Sequence, residues 1–318
     1  MQSHNEIVKF SLIRNVELTI KREDKIHLHI SGNKYRKLKY NLIAAKEQNI
    51  DTLLTFGGAF SNHIAATASA GAEFGFKTIG IIRGDELAEK ISSNPTLTFA
   101  QKCGMKFKFV SRDLYRKKTK SQFLADLKNE FGNFYGLPEG GTNELAITGC
   151  EEILTKQDEF YDFICVPVGT GGTISGLINS AKENQKTLGF PALKGDFLQK
   201  EISSFTNKGQ WSLISDYHFG GYGKINSELI TFINQFKHET KIPLDPVYTG
   251  KMLFGIVDLI RKGYFKNGSK ILAIHTGGLQ GISGMNMKLQ QKGLPVIILN
   301  EVFKNSSNDS FFKFFNEL

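Results

Sequence analysis

The 318-residue chain has no apolar run of membrane-spanning length; its longest, such as Phe163 to Val168, are strand-sized. The N-terminus, Met1 to Lys9, is polar and lacks the apolar h-region of a secretory signal. Cysteine is scarce. Cys103, Cys150 and Cys165 are widely spaced, odd in number and form no CxxC pair, so neither a disulfide framework nor a zinc site is indicated. His27 and His29 share one face of a predicted short strand, Ile26 to Ile30, but no third or fourth ligand stands near them, and no metal is expected. HExxH and GxSxG are both missing, which removes the motif-borne zincin and hydrolase readings. No internal repeat and no low-complexity linker interrupt the chain. A reducing, cytoplasmic setting is expected, with no membrane partner.

What is present is ordinary globular material: 40% hydrophobic and 22% charged residues, enough for one large or two medium domains. The net charge of +9 admits nucleic acid as a partner. However, the lysines are spread along the chain, and the densest run, Arg112 to Lys120, reads as a loop with one aromatic, Tyr115. A solvated basic face is the default. A positive field also favours small anionic substrates.

Short β-branched or aromatic runs alternate with helical stretches. Asp51 to Phe56, Lys77 to Arg83, Lys106 to Val110, Phe163 to Val168, Lys270 to His275 and Pro295 to Leu299 read as strands. Several are apolar almost throughout, as strands of a parallel sheet buried on both faces are. Helices are predicted at Tyr35 to Gln48, Asn62 to Phe74, Pro95 to Lys102, Gln122 to Phe131, Asn143 to Lys156, Thr173 to Glu183, Ile225 to His238, Lys251 to Arg261 and Gln280 to Gln291. The alternation is that of an α/β protein. The tail, Lys304 to Leu318, carries Phe311, Phe312, Phe314 and Phe315 and is predicted to dock as a short helix.

Six segments carry chemistry. In Ser31-Gly32-Asn33-Lys34-Tyr35-Arg36-Lys37-Leu38 a tight turn ends in a lysine, and a second lysine follows three residues on. A lysine so placed can point into a cleft and, once desolvated or set near other cations, become a nucleophile; alternatively these residues form an ordinary basic helix face. In Val166-Pro167-Val168-Gly169-Thr170-Gly171-Gly172-Thr173 a buried strand feeds a glycine loop and then a helix. Converging backbone N–H groups, a helix N-terminus and two hydroxyls make a phosphate cradle, unless the segment is only a tight strand–helix turn. It is not a Rossmann fingerprint, because Ile174 replaces the third glycine. Nor is it a Walker loop, because no lysine follows the glycines.

In Phe56-Gly57-Gly58-Ala59-Phe60-Ser61-Asn62-His63 a Ser-Asn pair opens a helix. Ser61 is either a helix N-cap or a holder of an anionic oxygen. Two tyrosines, Tyr222 within Gly220-Gly221-Tyr222-Gly223 and Tyr248 within Asp245-Pro246-Val247-Tyr248-Thr249, sit at loop edges, and a further strand ends in His275-Thr276-Gly277-Gly278. Glycine loops at several strand ends are expected where a ligand sits at strand carboxyl ends.

Taken in order, these segments resemble the fold type II pyridoxal-phosphate enzymes, of which tryptophan synthase β is a well-known type. Within that group the chain is similar to the branch of 1-aminocyclopropane-1-carboxylate deaminase and D-cysteine desulfhydrase, from about Lys21 to Gly278. The resemblance implies two open, twisted, mainly parallel sheets with flanking helices. It makes Lys34 the Schiff-base lysine and Lys37 a phosphate contact. It makes Asn62 a partner of the cofactor's ring oxygen and Ser61 a carboxylate-binding or catalytic residue, with His63 and Thr276 beside the substrate. The phosphate loop is Gly169, Thr170, Gly171, Gly172 and Thr173, and the active-site tyrosines are Tyr222 and Tyr248.

Typical deaminases of the branch carry Glu after the second tyrosine and Leu within His-x-Gly-Gly, whereas typical desulfhydrases carry Thr at both. This chain has Thr249 and Thr276, as on the desulfhydrase side. A carboxylate beside the ring nitrogen would keep it protonated; a hydroxyl leaves it largely neutral, a weaker electron sink that suits loss of a good leaving group.

The expectation is therefore a small domain over 41–142 and a large one combining 1–40 and 143–318, with pyridoxal phosphate in the cleft between them. The reaction expected is α,β-elimination from a β-substituted D-amino acid such as D-cysteine, in a cytoplasmic homodimer. The alternative within the branch is 1-aminocyclopropane-1-carboxylate deamination. Outside it stand a non-catalytic nucleotide or phosphosugar binder and a basic nucleic-acid module. Two departures from the branch are visible: a shortened segment between Lys21-Arg22-Glu23-Asp24 and the lysine turn, and a stretch from Leu188 to Phe205 without a readable motif.

Overall fold

Apolar runs become strands covered on both faces: Thr52–Gly57 is buried at every position, and Phe163–Val168 at all but the first. The computed structural model describes residues 2–13, 15–206 and 209–298. Its strands are β1 (Asn5–Ile7), β2 (Glu17–Lys21), β3 (Thr52–Gly57), β4 (Lys77–Arg83), β5 (Lys106–Val110), β6 (Tyr135–Leu137), β7 (Phe163–Val168), β8 (Lys186–Pro191), β9 (Gln210–Leu213) and β10 (Lys270–Ile274). The helices are α1 (Asn33–Glu47), α2 (Asn62–Phe74), α3 (Pro95–Lys102), α4 (Arg112–Arg116), α5 (Ser121–Phe131), α6 (Glu144–Glu151), α7 (Gly172–Ser180), α8 (Phe197–Ser203), α9 (Ser227–Thr240), α10 (Thr249–Arg261) and α11 (Gly281–Gln291).

The strands form two sheets, one of order β1-β2-β10-β7-β8-β9 and one of order β5-β4-β3-β6. Every pairing is parallel except β1 with β2, an antiparallel edge. This is the fold class expected from the sequence. In the larger sheet alternate residues feed different cores: Cys165, Ile271 and Ala273 pack on one side, Ile164, Val166, Leu272 and Ile274 on the other. The smaller sheet divides likewise, with Leu53 toward α1 and α2, and Leu54 and Phe56 toward Phe123 and Leu127 of α5. No helix of the described residues is long and apolar enough to cross a membrane.

Several boundaries differ from the sequence reading. Ile26 to Ile30 is not a strand. Glu23–Lys25 forms a 3-10 turn, and His27 Nδ1 accepts from the N–H groups of His29 and Ile30 at 3.3 and 3.0 Å, which removes those donors from any ladder. The strand of this region is β2, a few residues earlier.

Residues 295–298 are not a strand either. Their backbone is met by side-chain amides: Asn286 brackets Ile297 at 2.8 and 2.9 Å, and Asn234 holds Val296 and Ile298 at 2.9 Å each. Leu299 and the Phe-rich segment Lys304 to Leu318 lie outside the described residues. The basic run after Ser111 begins as α4 rather than a loop, capped by Ser111. The unread stretch from Leu188 to Phe205 contains the rest of β8 and then α8. Gly189 is required there, since a Cβ would lie 2.5 Å from Ile174.

Candidate active site

The site is built where strands of both sheets end. Gly32 turns the chain into α1 with φ +64°, and a Cβ at this residue would lie 2.0 Å from the Thr276 carbonyl oxygen. Only glycine permits that approach, which locks the lysine turn against the loop after β10. α1 is held from behind by Arg36, whose Nε and Nη2 donate to the two oxygens of the fully buried Glu23 at 2.9 Å each. It is held from the side by α6, where a Cβ on Gly149 would lie 2.0 Å from Arg36 O.

Lys34 and Lys37, three residues apart on one helix face, both donate to Gly140 O, at 3.3 and 3.1 Å. Burial pushes the Lys34 ammonium well below its ordinary value, and the Lys37 charge acts in the same direction. Desolvation brings Lys37 down to about 8. Cys150, fully buried beside both lysines, has its thiol pushed up to about 11 by burial against their pull.

Lys37 also donates to Thr142 Oγ1 at 2.9 Å and Thr170 Oγ1 at 3.5 Å, and these two hydroxyls are 2.6 Å apart. Asn33 Nδ2 donates to Thr173 Oγ1 at 2.8 Å. A Cβ on Gly172 would stand 2.8 Å from Thr142 Oγ1 and 3.1 Å from Lys37 Nζ, so a side chain there would fill the cradle. A cation, three hydroxyls and the N-terminus of α7 thus surround one small space. This donor set fits a phosphate, and a desolvated lysine beside it fits the carbonyl carbon of pyridoxal phosphate.

The depressed Lys37 pKa has a sign that can be checked. Above about pH 8 Lys37 is neutral, so an anion must bind there together with a proton. Affinity of apoenzyme for the cofactor is expected to fall as pH rises through that value, approaching about tenfold per pH unit. Titrations at about pH 7 and about pH 9 measure it. Equal affinities without proton uptake would remove Lys37 as the anion's partner.

Ser61 is the N-cap of α2, its Oγ accepting from His63 N and Ile64 N at 3.2 and 3.3 Å. The capping reading is therefore met, and Ser61 remains half-buried at the site's edge. Asn62 Oδ1 accepts from Gln280 Nε2 at 3.0 Å, linking α2 to the loop before α11. His63 is 1% exposed, and neither ring nitrogen has a hydrogen-bond partner. Burial, then Lys34 and Lys37, drive its pKa well below the ordinary value, so the ring is neutral. It abuts Gly141, where a Cβ would lie 2.8 Å from Cε1.

Tyr248 covers Gly169, its ring atoms 3.2 to 3.6 Å from where a Cβ would be, and meets Tyr222 edge-on with centroids 6.2 Å apart. Burial, then Tyr222, hold the Tyr248 phenol well above its ordinary pKa, which keeps it protonated. The Tyr222 loop is tied down by the buried Lys251, which donates to His218 O and Gly221 O at 2.8 and 2.9 Å.

Thr249 opens α10, fully buried. Its hydroxyl donates to Asp245 Oδ1 at 2.8 Å and accepts from Asp245 N at 2.9 Å, leaving one accepting lone pair. The Thr249 hydroxyl is thus already engaged by Asp245, a partner the sequence reading did not foresee. Asp245 also accepts from the N–H groups of Val247, Tyr248 and Thr249.

The lysine turn meets Thr276, Lys37 meets Thr170 of the glycine loop, Tyr248 covers Gly169, and α2 is linked to the loop before α11. Sequence reasoning missed Asn33, Gly140, Thr142 and Asp245. The segment Leu137-Pro138-Glu139-Gly140-Gly141-Thr142 carried a usable signal, since it has the strand, Gly-Gly and hydroxyl order of the other loops.

The pyridoxal-phosphate dependent enzyme family model matches residues 6–277. A putative 1-aminocyclopropane-1-carboxylate deaminase of Pyrococcus horikoshii is 33% identical over 288 residues, 83% of this chain and 85% of that protein. The bifunctional D-cysteine desulfhydrase/1-aminocyclopropane-1-carboxylate deaminase, mitochondrial, of Arabidopsis thaliana is 31% identical over 299 residues, 85% of this chain and 74% of that protein. The crystal structure of an ACC deaminase homologue aligns with TM-score 0.78 and 29% identity, covering 92% of this chain and 94% of that one. O-ureido-L-serine synthase, at 13% identity and TM-score 0.66 over 88% and 90% of the two chains, shares the fold. With the family model matching residues 6–277, most of its length, the chain belongs to the pyridoxal-phosphate dependent enzymes.

Proposed function

We propose that the protein catalyses α,β-elimination on a β-substituted D-amino acid of the D-cysteine type. D-cysteine and one water would give pyruvate, ammonium and hydrogen sulfide. The observation that carries this reading is Thr249 at the start of α10. Its one proton can turn toward a ring nitrogen while three backbone donors continue to hold Asp245, and it supplies no additional proton to that nitrogen. Among the described residues the carboxylate at that end, Asp245, is held by three backbone donors and the Thr249 hydroxyl, so a weaker electron sink and a substrate with a good leaving group are favoured.

Bound pyridoxal phosphate supplies the electron sink for the substrate's Cα. In this reading the cofactor sits between the small domain, 41–142, and the large one, 1–40 with 143–318. Lys37 and Gly169 to Thr173 would hold the phosphate, and Asn62 would partner the ring oxygen. Ser61, His63 and Thr276 line the carboxylate side. Lys34, neutral through its desolvation, takes the Cα proton. Tyr222 and Tyr248, kept protonated, flank the β-substituent and can deliver a proton as it departs. The reading includes a cytoplasmic homodimer with no nucleic-acid or membrane partner.

The names of the relatives favour a second reading, deamination of 1-aminocyclopropane-1-carboxylate to 2-oxobutanoate and ammonium. A product assay separates the two. Sulfide and pyruvate in equal amounts from D-cysteine, little from L-cysteine and no 2-oxobutanoate from the cyclopropane are the expected result. Robust 2-oxobutanoate without sulfide would reverse the ranking.

A further inference from the structure

Arg83 closes β4 at the cleft rim and is the feature of the site left without a task. Its Nη2 lies 3.7 Å from where a Cβ on Gly58 would be, beside the loop that leads to Ser61. Among the described residues its guanidinium makes no hydrogen bond or ion pair. What it has is a ring: its Cζ stands 5.8 Å from the centroid of Tyr115, which Lys118 Nζ also approaches, at 5.0 Å. Tyr115 supplies an independent observation. It is 2% exposed and its hydroxyl makes no hydrogen bond within 3.5 Å; the Glu139 carboxylate is close enough to interact with it, and Arg83 and Tyr222 are also within electrostatic reach. A buried hydroxyl so poorly satisfied is costly, and Arg83, itself exposed, is free to turn toward a ligand.

Glu139 is the opposing charge here. Its carboxylate is 3.3 Å from Lys118 Nζ, so the pair is neutral and Arg83 leaves a net positive charge. The wall therefore offers a guanidinium, a phenol and glycine backbone on the same side of the cleft as Tyr222. That combination suits an oxyanion.

We propose that Arg83 and Tyr115 form a second anion subsite that selects substrates whose side chain ends in an oxyanion, such as a carboxylate, sulfonate or phosphate ester. This rests on the reading of the protein as an amino-acid enzyme, with the α-carboxylate held at α2. The side-chain group is then directed past Tyr222 to the rim. The guanidinium meets it there with two parallel N–H groups.

The test is binding to holoenzyme of three D-amino acids that lack a leaving group: D-aspartate, its neutral isostere D-asparagine, and D-alanine. Cofactor absorbance and calorimetry report the dissociation constants. D-aspartate is expected to bind about tenfold more tightly than D-asparagine. That ratio should collapse to about one in Arg83→Gln, survive in part in Arg83→Lys, and shrink in Tyr115→Phe. Equal binding of aspartate and asparagine to the unaltered enzyme, or a ratio that persists in Arg83→Gln, overturns the subsite. If D-alanine binds while aspartate gains nothing, only the subsite falls. If none of the three perturbs the cofactor, the amino-acid reading falls with it.

Discussion

Lys34→Ala is expected to lower turnover by about 10³-fold while leaving the fold intact. The reasoning is local. Lys34 makes one hydrogen bond, to Gly140 O at 3.3 Å, and burial disfavours its charged form. Removing it costs little contact and relieves a desolvated amine, so thermal unfolding of the apo protein should not move to lower temperature. What disappears, on the proposed function, is the amine that would hold the cofactor covalently and take the Cα proton. Lys37→Ala should behave differently. It removes the cation of the phosphate cradle, so cofactor affinity should fall while the covalent link, once formed, persists. Unchanged turnover in Lys34→Ala, checked by steady-state assay, would remove Lys34 from the chemistry.

Glu23→Ala is expected to be the most damaging single change away from the reacting atoms. Glu23 is fully buried and receives both nitrogens of a bidentate pair from Arg36, itself 4% exposed. Truncating it leaves a buried guanidinium with only Glu152, at 3.7 Å and partly exposed, as counter-charge, at a cost of about 3–5 kcal/mol. The consequence is functional because Arg36 lies between Lys34 and Lys37 on α1. Loosening the helix moves both lysines relative to Gly140 and Thr142. Denaturant unfolding measures the stability loss, and cofactor retention measures the displacement. The double variant Glu23→Ala/Arg36→Met should recover part of the loss by removing the stranded charge. A loss below about 1 kcal/mol would mean the pair is not what anchors α1.

Much of this site was legible because its signals are local. A strand running into glycines and then into a helix is a property of a few consecutive residues. Gly169 to Thr173 and the Gly32 to Lys37 turn could therefore be read without knowing what lies opposite. Partners contributed by distant segments could not. Thr142 matters because it meets Lys37 and Thr170, and Asp245 because the Thr249 hydroxyl bonds back to it.

The strand errors have an equally physical cause. Ile26 to Ile30 has a strand-like composition, but the His27 ring captures two of its N–H groups. Residues 295–298 are apolar, but amides of α9 and α11 take their backbone. Composition reports what a segment could pair with; the side chains that reach it decide whether it does.

The central claim is that Lys34, rather than Lys37 one turn away, carries the cofactor. Reducing holoenzyme with borohydride fixes the cofactor to its lysine, and trypsin cleavage after Arg36 separates the two candidates. Mass spectrometry is expected to find the label on the peptide from Ile26 to Arg36, with cleavage blocked at Lys34. A label on Lys37, or on any other lysine, would contradict the account.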